Sequence, residues 1–179
     1  MGNKKTKMIV NVGIFAGIAF VLQFIGSMIG LKVGGFLEIE ISDVPALIVA
    51  LLYGPLAGVM VEFIKNLLHC FITSTGFVGE FANFAVNGIL CFIAGIIYKH
   101  KRTFKGAMVA LFAAVIVMAL AGAAVNLFVM LPLYMPDADF DTKFNLVTKL
   151  IIPFNIARGI GVSLITVFTY KHISRIIRK

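Results

Sequence analysis

The polar side chains with the clearest chemical potential are two amides and one guanidinium that lie inside apolar segments. Asn155 and Arg158 are three residues apart near the centre of the apolar run 146–170, just after Pro153. Residues three apart share one face of a helix, and a proline removes a backbone donor, so the helix is predicted to be irregular there. Asn126 is the lone amide of the preceding run. If these three side chains line one cavity, their donors and acceptors suit an uncharged heteroaromatic compound.

Two further polar stripes interrupt apolar segments, each with members three or four residues apart: Glu62, Lys65, Asn66 and His69, then Glu80, Asn83 and Asn87. This spacing places the members of each stripe on one helix face. Glu62 and Lys65 suit an internal ion pair, and the second stripe as a whole suits hydrogen bonds between helices. One functional alternative is an acid–base group formed by Glu62, Lys65 and His69 in a membrane enzyme. Another is proton coupling through Glu62 or Glu80 in a carrier.

The composition is that of an integral membrane protein. Of 179 residues, 60% are hydrophobic and only 13% are charged, and the mean hydropathy is +1.03, whereas soluble domains are roughly 45–50% apolar and about 25% charged. The net charge of +8 comes largely from short basic blocks between apolar segments. That pattern orients membrane proteins and argues against nucleic-acid binding. Residues 1–179 are expected to form a single integral-membrane domain.

No sequence motif indicates catalysis, a metal site or a resident cofactor. The chain has no G-x-x-x-x-G-K-[ST] phosphate loop, no G-x-S-x-G nucleophile elbow and no H-E-x-x-H zinc pair. Cys70 and Cys91 lie in apolar runs and are expected to be small packing residues. The protein is therefore not expected to be an enzyme, and any energy that it uses has to come from elsewhere.

The apolar runs predict an all-α membrane protein with six transmembrane helices. The runs cover residues 8–29, 44–72, 81–98, 107–131 and 146–170, and basic clusters lie at 4–7, 99–105 and 171–179. The positive-inside rule places all three clusters in the cytoplasm, which requires an even number of crossings before the second cluster. Splitting the second run at Gly54-Pro55 satisfies this rule and gives a short second helix from about Asp43 to Tyr53. Both termini are then cytoplasmic, and the outer loops hold the acidic residues Glu38, Glu40, Asp43, Asp137, Asp139 and Asp141.

The segment after the first helix is predicted to be an extended outer loop. It alternates apolar with polar side chains: Leu37, Glu38, Ile39, Glu40, Ile41 and Ser42. A period of two is typical of extended backbone. Such a loop is either a plain connector or a lid whose apolar side chains cover the mouth of a cavity.

The first helix carries small residues at a spacing that lets another helix approach closely. Gly13 and Gly17 form a small-x-x-x-small pattern in the segment GIFAG, which Ala16 and Ala19 extend. This pattern is common at contacts between membrane helices. Gly13, Ala16 and Gly17 are therefore candidates for contact with a partner protein.

Four stretches of the chain carry a family resemblance: FLEIEISDVPALIVALLYGPLAGVMVEFIKNLL at 36–68, GFVGEFANF at 76–84, NLFVMLPLYMP at 126–136 and PFNIARG at 153–159. Together they resemble the substrate-binding S components of energy-coupling factor (ECF) transporters, and within that family the riboflavin-specific type. The S-D-x-P sequence before the short second helix, the Gly-Pro turn and the P-F-N-x-x-[KR]-G motif carry most of the resemblance. It implies a six-helix membrane fold with cytoplasmic ends.

The resemblance implies a binding site for riboflavin, which is a transported ligand and not a cofactor. Asn155 and Arg158 would hold the polar edge of the flavin ring, with Asn126 assisting, although the family often has lysine at the position of Arg158. The loop from Leu37 to Ile41 would close over the ligand, and its acidic residues would meet the ribityl hydroxyls or solvent. The predicted substrate-binding residues are Leu37, Glu38, Ile39, Glu40, Lys65, Asn83, Asn126, Asn155 and Arg158.

The resemblance also implies partners and a location. S components of this type work with a transmembrane T subunit and two cytoplasmic ATPases, which would supply the energy that the chain lacks the motifs to supply. They are multi-pass proteins of the bacterial plasma membrane and contact its lipid. The small residues of the first helix would then meet the T subunit. The alternatives are an S component for another vitamin or a pyrimidine-like compound, and a stand-alone proton-coupled carrier.

Overall fold

The computed structural model describes residues 2–30, 32–34, 37–38, 41–73 and 77–177. Its elements are, in order, α1 (Gly2–Ile29), β1 (Lys32–Val33), β2 (Leu37–Glu38), α2 (Asp43–Tyr53), α3 (Pro55–His69), α4 (Val78–His100), α5 (Phe104–Val125), α6 (Leu131–Tyr134), α7 (Phe140–Leu146) and α8 (Ile152–Ile177). Two π-helical turns, Asn126–Met130 and Val147–Ile151, join α5 to α6 and α7 to α8. The described chain therefore forms six helical rods, which confirms the predicted all-α class.

The rods differ in length. Four described rods are long and apolar enough to cross a membrane: Lys5–Ile29, Val78–His100, Phe104–Tyr134 and Phe140–Tyr170. The helices α2 and α3 have 11 and 15 residues, and at about 1.5 Å per residue each spans less than the roughly 30 Å hydrocarbon core. The predicted short second helix is confirmed at its predicted bounds.

The turn between α2 and α3 forms at Gly54. This residue has φ 105°, a conformation that residues with side chains rarely adopt, and its N–H donates to the carbonyl of Ala50 at 3.0 Å. Pro55 then occupies the first position of α3, where its missing N–H costs nothing. A Cβ on Gly95 of α4 would lie 2.6 Å from Pro55 Cα, so α4 packs directly against the turn. The predicted division of the second apolar run is thus confirmed.

The short helix α2 lies at the centre of the bundle. It packs against α1, α3, α4 and α8, and its residues are buried without interruption from Asp43 to Leu51. A helix that is apolar on all sides is expected to be enclosed in this way. Its close contact with α3 requires Gly58, where a Cβ would lie 2.5 Å from that of Ala50. This packing carries Asp43, the first residue of α2, into the interior.

The backbone after α1 forms a small antiparallel hairpin. Lys32 pairs with Glu38, and Val33 pairs with Leu37. The extended backbone predicted for Leu37 and Glu38 is confirmed. The other two loop residues predicted to bind substrate, Ile39 and Glu40, lie outside the described residues.

The small residues of α1 face in two directions. Ala16 and Ala19 are fully buried in the core. Gly13 is exposed and Gly17 is half-buried, and a Cβ at either position would meet nothing within 4 Å. The face of α1 predicted to meet a partner is therefore narrowed to the two glycines, because Ala16 belongs to the internal packing of the chain.

Candidate ligand-binding cavity

A cavity of about 520 Å³ lies between the helices, within the range of roughly 300–1,000 Å³ that small-molecule sites occupy. Its lining comes from the hairpin and from every described rod except α2. Of the predicted substrate-binding residues, the lining contains Leu37, Glu38, Asn83, Asn126, Asn155 and Arg158. The two amides and the guanidinium singled out from the sequence therefore share one cavity.

The backbone of its own helix holds each of the two amides. Asn126 Nδ2 donates to the carbonyl of Gly122 at 2.8 Å, and Asn155 Nδ2 donates to the carbonyl of Ile151 at 3.0 Å. Both side chains are buried. Within the described part of the chain, neither amide oxygen accepts a hydrogen bond. Each amide therefore retains an acceptor oxygen and a second N–H for a ligand.

A π-helical turn adjoins each amide: Asn126 begins the first turn, and the second turn ends at Ile151, which accepts the bond from Asn155. Two residues after each turn ends there is a proline, Pro132 or Pro153. In a regular helix, the proline ring clashes with the carbonyl four residues earlier and no N–H is available to it. A widened turn accommodates both effects, and such turns are frequent at functional sites. The irregularity predicted at Pro153 is confirmed. The π-helical turn that begins at Asn126 is not part of that prediction, and Pro132 is the sequence signal for it.

Arg158 reaches the cavity as the end of a buried chain of alternating charges. Its Nη2 lies 2.5 Å from Asp43 Oδ2, and Asp43 Oδ1 lies 2.8 Å from Lys65 Nζ. The same ammonium lies 2.7 Å from Glu62 Oε2. Buried charges are costly unless they are paired and hydrogen-bonded. This network pairs two cations with two carboxylates and links the guanidinium to α2 through Asp43.

Lys65 lies behind the cavity wall, outside the described lining. Its side chain is fully buried, and Nζ also donates to Ser42 Oγ at 3.2 Å. The ion pair predicted between Lys65 and Glu62 is confirmed. The described bonds of Lys65 are to Ser42, Asp43 and Glu62, none of which is in the lining. Contact between Lys65 and a ligand stays a prediction.

Asp43 is a candidate site residue that sequence reasoning missed. The sequence places it among acidic groups of an outer loop, yet in the structure it is only 1% exposed. Its partner Arg158 is 115 residues away along the chain, and helix periodicity predicts contacts only between residues a few positions apart. One signal was available: Lys65 and Arg158 are two cations in apolar segments, and Glu62 can neutralise only one of them.

The helices α3 and α4 supply another part of the lining, where polar side chains bond to one another. His69 Nδ1 lies 2.9 Å from Glu80 Oε1. Glu80 and His69 thereby form the bond between helices predicted for the stripe of α4, whereas Asn87 Nδ2 donates to Asn83 Oδ1 at 3.0 Å within α4 itself. Gln23 of α1, which the sequence did not single out, also lines the cavity. The stripe of α4 therefore lines the cavity, and of the stripe of α3 only His69 is in the described lining.

A cavity lined by hydrogen-bonding groups inside a bundle of apolar helices is typical of membrane-embedded proteins that bind a small molecule. Among the described residues, no group of three His, Cys, Asp or Glu side chains is arranged to hold a metal ion. The sequence profile described as "ECF transporter, substrate-specific component" matches residues 7–170. The chain belongs to this family of transporter S components, and it is not an enzyme.

Individual relatives agree with this assignment. The riboflavin transporter RibU of Staphylococcus aureus is 34% identical over 98% of this chain and 95% of its own length. FmnP of Bacillus subtilis, also named a riboflavin transporter, is 33% identical over 90% of this chain and 88% of its own.

Solved structures share the fold. The S component of a bacterial ECF transporter superposes with a TM-score of 0.83 at 32% identity, over 98% of this chain and 99% of its own. ThiT of Listeria monocytogenes superposes with a TM-score of 0.69 over 97% of this chain and 98% of its own, and at 13% identity it supports the fold alone.

Proposed function

We propose that the chain is the riboflavin-binding S component of an ECF-type uptake transporter in the bacterial plasma membrane. The observation that carries this proposal is the convergence of Asn126, Asn155 and Arg158 on one cavity. Two relatives named riboflavin transporters match most of the chain at 33–34% identity and thereby support the choice of ligand. Riboflavin is the transported ligand in this proposal and has no cofactor role.

The cavity matches the polar edge of a flavin ring. That edge presents two carbonyl oxygens on either side of an N–H group. The guanidinium of Arg158 donates to a carbonyl oxygen, the amide oxygen of Asn155 accepts from the N–H, and Asn126 assists by donating its remaining N–H to a carbonyl oxygen. Because these groups are buried, a ligand without this edge would leave them unpaired, and that penalty gives selectivity.

The ribityl chain is assigned to the hairpin side of the cavity. Glu38 lies in the lining, where its carboxylate accepts hydrogen bonds from hydroxyl groups, and Leu37 adds an apolar contact. Ile39 and Glu40 complete the loop that closes over the ligand in this proposal. Asn83 extends the polar lining on α4, and Lys65 acts on the ligand indirectly by holding Asp43 and thus Arg158.

A binding measurement tests the ligand. Purified protein that retains flavin absorbs visible light and is yellow, and added riboflavin loses its fluorescence on binding. Saturable quenching by riboflavin, with no competition from thiamine, is the expected result. Colourless protein that does not quench added riboflavin would refute the proposed ligand.

The six rods are proposed to cross the membrane with both termini in the cytoplasm, which places the turn at Gly54 inside. Leu56 is 70% exposed beside this turn, so Leu56→Cys avoids the strain of replacing Gly54 itself. In a background without Cys70 and Cys91, this thiol should resist an impermeant reagent until the cells are lysed. Asp137→Cys, in the proposed outer loop, should react in intact cells. Reversed labelling would contradict this topology.

The energy for uptake is proposed to come from a T subunit and two ATPases, with the T subunit packed on the glycine face of α1. Gly13 and Gly17 offer open space for a neighbouring helix, and a bulky side chain there would push its backbone away. Gly13→Leu and Gly17→Leu should therefore lower the yield of the assembled complex while riboflavin binding is unchanged. Unchanged yield and uptake in both variants would remove this face from the proposal.

A further inference from the structure

Gly122 of α5 touches both amides of the cavity. Its carbonyl accepts the hydrogen bond from Asn126 Nδ2 at 2.8 Å. A Cβ on Gly122 would lie 2.8 Å from Asn155 Nδ2, which is closer than nonbonded carbon and nitrogen atoms pack, and 3.4 Å from Asn155 Cγ. One residue of α5 therefore anchors one amide through its backbone and leaves room for the other through its missing side chain.

The amide of Asn155 has little freedom to move away from an added methyl group. Its Nδ2 is already bonded to the carbonyl of Ile151 at 3.0 Å, and the side chain is buried. Behind the Cβ position, Val86 of α4 lies at 3.6 Å, which is ordinary contact. A methyl group at residue 122 would therefore act on the amide of Asn155 first, and it would shift or rotate that amide relative to Asn126.

Glycine inside a helix is less stable than alanine. We therefore expect a packing reason for glycine at residue 122. Gly161 and Gly159 of α8 provide comparisons. A Cβ on Gly161 would meet nothing within 4 Å, and the nearest atoms to a Cβ on Gly159 would be those of the apolar side chains of Met118 and Val115, at 3.0 Å. Of these three glycines, Gly122 is the one whose added methyl group would meet a polar group of the cavity.

We propose that Gly122 is a positioning residue that sets the ligand specificity of the cavity, because it fixes the spacing between the amides of Asn126 and Asn155. The proposal rests on the assignment of this site to riboflavin. Substitution of Gly122 should impair recognition of the polar ring edge and leave the fit of the remaining flavin surface intact.

The test compares riboflavin with N3-methylriboflavin, which lacks the ring N–H, by fluorescence quenching. In Gly122→Ala, riboflavin should bind about tenfold more weakly, since a buried hydrogen bond is lost. The methylated flavin has already lost that bond, so its Kd should change by less than about threefold. Gly161→Ala should bind both flavins like the wild type, and Gly159→Ala should keep the wild-type preference for riboflavin.

A double-mutant cycle separates the contact between residues 122 and 155 from a general effect of the substitution on folding. In an Asn155→Ala background the methyl group has space, so Gly122→Ala should then change riboflavin affinity by less than about threefold. Equal weakening of both flavins by Gly122→Ala, or the same loss of preference in Gly159→Ala, would overturn the proposal. Wild-type riboflavin affinity in Gly122→Ala would also overturn it. Failure of the wild-type protein to bind riboflavin is a distinct result, which would refute the proposed ligand and this inference with it.

Discussion

The two parts of the cavity wall differ in what their polar side chains bond to. On α3 and α4 the side chains bond to one another, as His69 does to Glu80 and Asn87 does to Asn83. On α5 and α8 the amides bond instead to carbonyls of their own helices, next to π-helical turns. The two sets look alike in the sequence, since each consists of polar residues in apolar segments.

The difference indicates which wall recognises a ligand. A side chain that bonds to another side chain uses donors and acceptors that a ligand would need, and separating the two leaves buried groups without partners. An amide held by a backbone carbonyl keeps its oxygen for a ligand and is fixed in direction. Arg158 also bonds to a side chain, that of Asp43, but a guanidinium has five N–H donors and keeps others for a ligand. We therefore expect recognition to depend on α5 and α8, and the pairs of α3 and α4 to support mainly the shape and stability of the cavity.

The largest effect on binding is expected at Asn155. Asn155→Leu is close to isosteric and removes both the acceptor and the donor, so riboflavin should bind about ten- to a hundredfold more weakly. Fluorescence titration measures the affinity, and thermal unfolding of the ligand-free variant checks the fold. Asn145→Leu is the matched control, because Asn145 is exposed on α7 and also bonds to a carbonyl four residues back. Near-native affinity in Asn155→Leu would contradict the assignment of ligand recognition to α5 and α8.

A smaller loss of affinity, with a larger loss of stability, is expected at Asp43. Asp43→Asn keeps the size of the side chain but removes the charge that Arg158 and Lys65 share. Riboflavin should bind about tenfold more weakly because the guanidinium is no longer held, and the apo protein should melt at a lower temperature. Asp141→Asn replaces an exposed acid and is the control. Unchanged affinity and melting temperature would mean that the charge network does not position Arg158.

The smallest effect on binding is expected on the wall formed by α3 and α4. Glu80→Gln retains a hydrogen-bond acceptor for His69 and removes only the charge, so riboflavin affinity should change by less than about threefold. Titration of the variant beside Asn155→Leu makes the comparison directly. A loss in Glu80→Gln as large as that in Asn155→Leu would assign recognition to both walls.

Much of the fold could be predicted because it depends on local sequence. Apolar run lengths predict the rods, Gly54-Pro55 predicts the central turn, and Pro153 predicts the irregular start of α8. The prolines act locally, since a missing N–H disturbs the helix within one turn. The π-helical turn Asn126–Met130 is equally predictable from Pro132, which follows it at the same spacing.

The missed features depend on contacts between distant segments. The bond between Asp43 and Arg158 and the contact between Gly122 and Asn155 exist only after α2, α5 and α8 have packed together. Side-chain periodicity identifies a polar face but not its partner. For the same reason the sequence could not distinguish the polar stripes of α3 and α4 from the cavity-lining amides Asn126 and Asn155.

In the proposed complex Arg158 of α8 donates to a carbonyl oxygen of the flavin, and infrared spectroscopy of bound riboflavin tests this bond most directly. Riboflavin labelled with ¹³C at its ring carbonyls gives bands distinct from those of the protein, and a hydrogen bond lowers their frequency. At saturating ligand, Arg158→Leu should raise the frequency of one carbonyl band relative to wild type, while Glu80→Gln should leave it unchanged. Identical carbonyl bands in wild type and Arg158→Leu would contradict a hydrogen bond from Arg158 to the flavin, and a shift in Glu80→Gln would contradict the difference between the two walls.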